Sequence, residues 1–231
     1  MEKVSIEERL RLLEEKNVSL EHELMRLQSV HEIQNLLGRY EAIHNPTDLN
    51  RSWEFFARHT ADTWMEISDW GRFNGFALIK QLWSGMNDRK MAIGTIFEHD
   101  LATPVIEVAA DGMTAKGTWC SPGYETHLHK EDGSREAVWC WGKYAIDFVK
   151  EDGVWRFWHF KWFRTFMIPF HQSWVEAPHR PSMRNKLGEP SHYHHPYTPD
   201  SVALSIPPAP EPYETWTPDQ IGWQFREPKN I

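Results

Sequence analysis

From Ile6 to Leu27 one stripe of positions recurs at alternating intervals of four and three: Ile6, Leu10, Leu13, Asn17, Leu20, Leu24 and Leu27. The positions between them are rich in Glu, Arg and Lys. A stripe this narrow suits a seam between helices. It predicts a coiled-coil arm, with Asn17 as the buried polar residue that fixes register and strand number. A single amphipathic helix lying on its own domain is the plainer alternative. The helical period continues through Ile33, Leu36, Leu37, Tyr40, Ile43 and His44 and stops at Asn45-Pro46. A short second helix follows Asp48-Leu49-Asn50 and carries Trp53, Phe55 and Phe56. Residues 63–68, TWMEIS, alternate as a strand, and Asn74-Gly75 opens a third helix with Phe76, Ile79, Leu82 and Trp83.

The next region is punctuated by Asp111-Gly112, Asp132-Gly133 and Asp152-Gly153, turn dipeptides 21 and 20 residues apart. They separate strand-like runs of roughly 15 residues, against about 5–6 for an ordinary strand. Strands that long twist and bend. The predicted fold class is therefore α+β: a cone-shaped, strongly curved antiparallel sheet wrapped around the N-terminal helices. The last two strands, Trp139 to Phe166, are apolar on both faces. Cys140, Tyr144, Ile146 and Phe148 share one side, and Trp139, Trp141 and Val149 the other. Such a hairpin needs cover twice. One cover is expected from the domain's own helices, around a pocket. The other is expected from a second subunit, in a homodimer or homotrimer.

From Pro178 onward no helical or strand period remains, and 11 of the 15 prolines fall in this segment. It also carries Tyr193, Tyr197, Tyr213, Trp216, Trp223 and Phe225, which a solvated linker would not. An extended Pro-rich arm packed on the domain or on a neighbouring subunit is expected. The organisation reads as a coiled-coil-like arm over 1–29, a cone domain over 30–175 and the extended arm over 176–231.

Composition narrows the partners. Hydrophobic residues make up 40% of the chain, as in a globular protein, and the net charge of −8 with a pI near 5.9 leaves no basic surplus for nucleic acid. No apolar stretch approaches a membrane span, and MEKVSIEERL lacks a signal peptide's apolar region, so a cytoplasmic protein with no membrane partner is expected. Cys120 and Cys140 fall on consecutive predicted strands, where they would be neighbours and reduced. Of the 13 tryptophans, ten lie between Trp53 and Trp162. Core and interface account for most of them. The remainder suit a pocket walled by flat rings, with Trp64, Trp119 and Phe148 as candidate substrate-facing side chains.

The order of the segments RYEAIHNPTD, WEFFA, TWMEIS, GRFNGFALIKQLW, FEHDLATPVIEV and GKYAIDFVKEDGVWRFWHF resembles the nuclear transport factor 2-like superfamily. Within it the chain is similar to the SnoaL-like polyketide cyclase branch, which includes scytalone dehydratase, over about residues 30–170. That resemblance implies a cone-shaped pocket and cofactor-independent acid–base chemistry: dehydration, isomerisation, cyclisation or elimination. One similar branch contains cofactorless lyases that remove formaldehyde from lignin-derived diaryl diols, and a ring-rich interior suits such substrates. The superfamily also includes binding modules without catalysis.

In this resemblance His99 falls where the family's catalytic strand histidine lies, and an imidazole can take a proton at one atom and return it at another. The family's dehydratases orient that histidine with an aspartate at the end of the first helix. Here His44 occupies the comparable position, with Tyr40 one turn earlier on the same face, while Asp48 lies further on. Either two histidines share the work, or His99 finds another acid, for which Glu66 in the first strand is the best alternative. Tyr144 is a candidate to polarise a substrate oxygen. His159 and Lys161 are read as sharing a face with Trp155 and Phe157. Inside the cone, Lys161 would be an oxyanion partner or a depressed base; on the other face both would meet a subunit. The tail histidines His192, His194 and His195 lack fixed ligand spacing, so no metal is expected. The chain is thus read as a cofactor-independent lyase acting on a hydroxylated aromatic small molecule. An isomerase or cyclase with the same pocket, and a non-catalytic binding or scaffold protein, are the alternatives.

Overall fold

A single helix, α1 (Ile6–Ala42), runs through the predicted seam and into the domain. The Ser5 side chain accepts a hydrogen bond from the Glu8 backbone N–H at 3.1 Å, and Glu7 and Glu8 sit in the first turn, where the helix dipole favours negative charge. The computed structural model describes residues 5–86, 92–129, 131–177, 185–192 and 196–226. From His22 onward one flank of α1 docks on the domain, through Met25, Arg26 and the buried Ser29. Ile33, Leu37 and Tyr40 then enter the core. The apolar members of the stripe from Ile6 to Leu27 are all more than half exposed, and of them Leu27 borders a shallow groove against Ile106 and Val108 of the domain.

A 3-10 turn (Leu49–Phe55) leads to β1 (Trp64–Ile67), β2 (Gly71–Asn74) and α2 (Phe76–Ser84). The remaining strands are β3 (Phe97–His99), β4 (Ala102–Val108), β5 (Thr114–Ser121), β6 (Gly123–Leu128), β7 (Arg135–Glu151) and β8 (Val154–Pro169). They form one eight-stranded sheet in the order β2-β1-β8-β7-β5-β4, with β6 paired to β7 and β3. All pairings are antiparallel except β1 with β8. Two features depart from the simple meander. FEHDLATPVIEV is two strands, interrupted at Asp100-Leu101. Pro122 breaks the run from Thr114 to Leu128, so that β5 pairs with Gly142–Val149 of β7 and β6 with Arg135–Trp139. The β7–β8 turn has positive φ at both Asp152 (52°) and Gly153 (77°), the geometry a tight hairpin turn of matching twist requires.

β7 and β8 pair along almost their whole length, but Trp158 and Thr165 have no partner opposite them. Each extra residue is a bulge that reverses the facing of everything after it. Trp155 and Phe157 point into the cone. Beyond Trp158 the inward residues are Phe160, Trp162 and Arg164, and His159, Lys161 and Phe163 point out. The shared face expected for Trp155, Phe157, His159 and Lys161 is therefore corrected.

The concave face buries Ile33, Leu37, Tyr40, Phe56, Ile146, Phe148 and Phe157. The outer face carries a second cluster, in which Ala145 and Phe163 pack against Ile206 and Trp223. Gln224 donates to the carbonyls of Ala145 and His159 at 3.2 Å each, and Lys116 Nζ donates to Gln220 at 2.6 Å. Over the middle of the sheet, then, the chain's own C-terminal residues supply the cover that the sequence had suggested a second subunit would give. Withdrawing a ring such as Phe163 from water stabilises by roughly 2 kcal/mol. Cys140 points inward and Cys120 outward, so the two thiols stand on opposite faces and both are free. No helix among the described residues is long and apolar enough to cross a membrane.

Candidate functional site

The concave face leaves a cavity of about 730 Å³ between the end of α1, α2, β3, β6 and the inner side of β7–β8. Its rings are Tyr40, Trp70, Trp83, Phe97, Phe160 and Trp162, and its polar groups include His44, His99, Glu125, His127, Tyr144 and Arg164. This size and lining suit a small organic molecule.

The last turn of α1 and the residues just past it supply one wall. Leu37 and Glu41 are four residues apart, as are Tyr40 and His44, so the two pairs run side by side along the inward face. Across from it, His99 ends β3 opposite Gly123 of β6. A Cβ at Gly123 would stand 2.6 Å from His99 Nδ1 and 2.5 Å from the Glu98 carbonyl, so only glycine lets the imidazole lie this close to β6. Glu125 and His127 follow at alternate positions and face the same side.

The Glu125 carboxylate joins two imidazoles: His99 Nε2 is 3.1 Å from its Oε1, and His127 Nε2 is 2.7 Å from its Oε2. Burial alone would raise the Glu125 carboxyl. Hydrogen bonds from His127 and His99, with the charges of those rings, outweigh it and hold the group well below the usual carboxylate range. The His44 ring packs edge-on to His99 with centroids 5.4 Å apart. Burial, assisted by the nearby His99 charge, draws the His44 imidazole down to about 3, so His44 is neutral.

Glu41 has the opposite environment. Tyr144 donates its hydroxyl proton to Glu41 Oε1 at 2.6 Å, while Glu41 Oε2 is buried without a partner among the described residues. Burial pushes the Glu41 carboxyl up to about 7, against the lowering influence of the His99 charge and the Tyr144 hydrogen bond. Burial and the Glu41 charge together raise the Tyr144 phenol well above its ordinary value. His44 Nδ1, His99 Nδ1, Trp83 Nε1 and Trp162 Nε1 are also buried without partners among the described residues, and all four side chains line the cavity. Polar atoms left this way are expensive unless something else satisfies them.

Of the residues singled out from the sequence, Tyr40, His44, His99 and Tyr144 are gathered at this cavity. The others stand elsewhere. Lys161, Glu66, His159 and Trp64 lie on the outer face. Lys161 Nζ donates to Glu66 Oε1 at 2.6 Å, Glu66 also accepts the His192 backbone N–H, and His159 Nδ1 pairs with Asp147 at 2.7 Å while its ring stacks on Trp64. Burial lowers Lys161 only to about 8, because Glu66 opposes the loss of its charge. Lys161 is thus a paired structural cation and not a cavity base. Trp119 and Phe148 pack on each other in the filled end of the cone, away from the cavity.

Glu41, Glu125 and His127 were not singled out. The signals were present: Glu41 follows Leu37 by four on the inward face, and Glu125 and His127 alternate along GYETHL. Among the described residues, His99, Glu125 and Cys140 bring ligand atoms within 4.8 Å of one another and could hold a divalent cation. A cation there would have to break the pairing of His99 with Glu125 and accept the neighbouring Arg164 charge beside Cys140. Of the tail histidines, His192 Nδ1 lies 3.3 Å from Glu66, and His194 and His195 fall outside the described residues.

No curated protein matches the chain significantly. Solved structures resemble it at low identity. A type 2 hexachlorocyclohexane dehydrochlorinase is 17% identical, with a TM-score of 0.50 over 68% of this chain and 98% of that one. A type 3 hexachlorocyclohexane dehydrochlorinase from Novosphingobium barchaimii LL02 is 17% identical, with a TM-score of 0.50 over 65% and 96%. A scytalone dehydratase-like protein from Novosphingobium aromaticivorans DSM 12444 is 17% identical, with a TM-score of 0.49 over 64% and 91%. At such identities the likeness is one of fold. The family model for the SnoaL-like domain matches residues 25–161, more than half of the sequence and all of the cavity lining except Trp162, Arg164 and Met167. The chain belongs to the SnoaL-like family of the nuclear transport factor 2-like superfamily.

Proposed function

We propose that this cavity performs cofactor-independent lyase chemistry on a hydroxylated aromatic small molecule. The observation that carries the reading is the contrast between two carboxyls near His99: Glu125 is bonded by both His99 and His127, while Glu41 is bonded by Tyr144 alone and its Oε2 is buried without a partner among the described residues. Glu125 is held ionised and Glu41 is pushed up to about 7. Carboxyls driven apart by their surroundings mark a division of labour between base and acid. His99, held by Glu125, takes a proton from substrate carbon or oxygen, and the Glu125 charge stabilises the imidazolium that forms. When the proton comes from carbon, the C–H electrons form a C=C bond as the neighbouring C–O bond breaks. When it comes from a hydroxyl, the O–H electrons form the C=O bond of an aldehyde as the adjacent C–C bond breaks. Tyr144 gives its proton to the departing hydroxyl, or to the carbon the aldehyde leaves, and is reprotonated by the Glu41 carboxyl. Tyr40, Trp83, Phe160 and Trp162 would sandwich an aromatic substrate, and His44, kept neutral, adds no charge beside the base. The test is to incubate the protein with a panel of phenolic and polyketide-like compounds and analyse products by mass spectrometry. Loss of water or of a small aldehyde from a panel member supports the reading, provided that it disappears in His99→Ala. Tight binding of panel members with no product would favour a binding protein instead.

A further inference from the structure

Two separate flanks of α1 are apolar or charged in a patterned way, and the domain uses only one of them. The docked flank comprises His22, Met25, Arg26, Ser29 and Ile33. The other holds Ile6, Leu10, Leu13, Asn17, Leu20, Leu24 and Leu27, and residues 5–24 are exposed throughout. In heptad terms Leu10, Asn17 and Leu24 occupy a, and Ile6, Leu13, Leu20 and Leu27 occupy d. The flanking e positions are Glu7, Glu14 and Glu21, and the first two g positions are Arg9 and Lys16.

This arrangement selects both the partner and its direction. In a parallel pair of identical helices each g residue meets the e residue five positions later on its neighbour. Arg9 then faces the partner's Glu14 and Lys16 faces the partner's Glu21. In an antiparallel pair, e residues meet e residues, and all of these are glutamates. The intrachain pairs respect the same division. Arg11 bonds Glu8 and Glu15 on the far side of the helix, whereas Arg9, Glu14 and Lys16 make no ion pair among the described residues. Arg9, Glu14 and Lys16 are thus left for a partner, while Glu21 accepts from Asn17 Nδ2 at 2.8 Å, a bond that pairing would exchange for the partner's Lys16 and, at this a position, the partner's Asn17.

We infer that residues 6–27 form a parallel, in-register coiled coil with a second copy of this chain, about 30 Å long at 1.5 Å per residue. The assembly holds the domains side by side, because both helices leave the seam at the same end. The inference is independent of the chemistry proposed for the cavity.

The test uses full-length chains carrying Leu13→Cys or Leu20→Cys, both at exposed positions where folding is not at stake. Under mild oxidation each variant should cross-link to itself in most of the material, with the wild-type chain as control for Cys120 and Cys140. When the two are mixed, chains should join like with like. Preferential joining of Leu13→Cys to Leu20→Cys would overturn the parallel register, and absence of any cross-link would overturn the seam itself. A second measurement addresses the charges. Glu14→Lys/Glu21→Lys should lower self-association about tenfold, and adding Arg9→Glu/Lys16→Glu chains should restore it as a mixed species. Unchanged self-association in the first variant would overturn the charge pairing.

Discussion

On the inner side of β8, Phe160, Trp162 and Arg164 face the cavity; on its outer side, His159, Lys161 and Phe163 face the chain's own C-terminal residues. Both sides are rich in rings and titratable groups. Both also hold buried polar atoms without hydrogen-bond partners among the described residues, Trp64 Nε1, His159 Nε2 and Gln224 Oε1 outside among them. Their carboxyls differ, however, in how fully they are engaged. Outside, the Glu66 carboxylate takes Lys161, Arg72 and the His192 backbone, and Asp147 takes His159 and the Trp223 indole N–H. Inside, Glu41 Oε2, His44 Nδ1 and the indoles of Trp83 and Trp162 have no partner among the described residues. Buried charges that are paired hold a fold together. A lysine or histidine in an aromatic strand is therefore informative only once its side of the strand is known.

Substitutions on the two sides should separate activity from stability. The largest effect is expected from His99→Ala, which should reduce turnover of any compound identified in the panel by about a thousandfold while leaving the melting temperature little changed. Lys161→Met should do the reverse. It leaves Glu66 buried without its closest cation, costing about 3–5 kcal/mol in chemical denaturation, with turnover of the folded fraction within a few-fold of wild type. Equal loss of activity in both variants would erase the distinction between the sides.

Glu41 offers a pH-dependent test. Its folded pKa is raised from 4.5 to about 7, so the stability associated with its protonated form is present in full below about 4.5 and is lost as pH rises through about 7. Glu41→Gln, which keeps an acceptor for Tyr144, should be more stable than wild type at pH 8 by up to about 3 kcal/mol. That advantage should vanish near pH 4.5. A stability difference independent of pH would show that the carboxyl is not titrating in this range. The smallest effect is expected from Tyr144→Phe, which removes the hydroxyl without opening a cavity. Turnover should fall about tenfold to a hundredfold with unchanged substrate affinity.

The extent to which these sides could be read in advance varied with the physics involved. The helices, TWMEIS, the three Asp-Gly turns and the order of elements follow local rules of period and turn chemistry, so they were legible. So was the gathering of Tyr40, His44, His99 and Tyr144, through the family resemblance, with helical spacing adding only that Tyr40 and His44 share a face. His159 and Lys161 were not, because the facing of both depends on an unpaired Trp158, and nothing in RFWHFKWF marks which residue is extra. Glu66 and Trp64 followed them, since β1 pairs in parallel with β8 and takes its sides from that register. Glu41 was passed over because a glutamate on a helix is ordinarily a solvated one; only the closure of Tyr144 over it makes its burial evident. Trp119 and Phe148 were read as substrate-facing and instead fill the core, because sequence does not distinguish the filled end of a cone from its hollow end.

The bulge at Trp158 also bears on how such a site changes over generations. In a strand with a strict period of two, one inserted or deleted residue behaves like a frameshift that exchanges interior and exterior for every position after it. Loss of Trp158 itself would straighten the strand and leave Lys161 outside and Trp162 inside. Loss of Phe160 with the bulge kept would instead turn Lys161 inward and Trp162 outward in a single mutational event, without altering any codon for either. Lineages that shed one residue just past the bulge would therefore present a different set of functional groups to the same hollow. Their sequences would still align almost residue for residue.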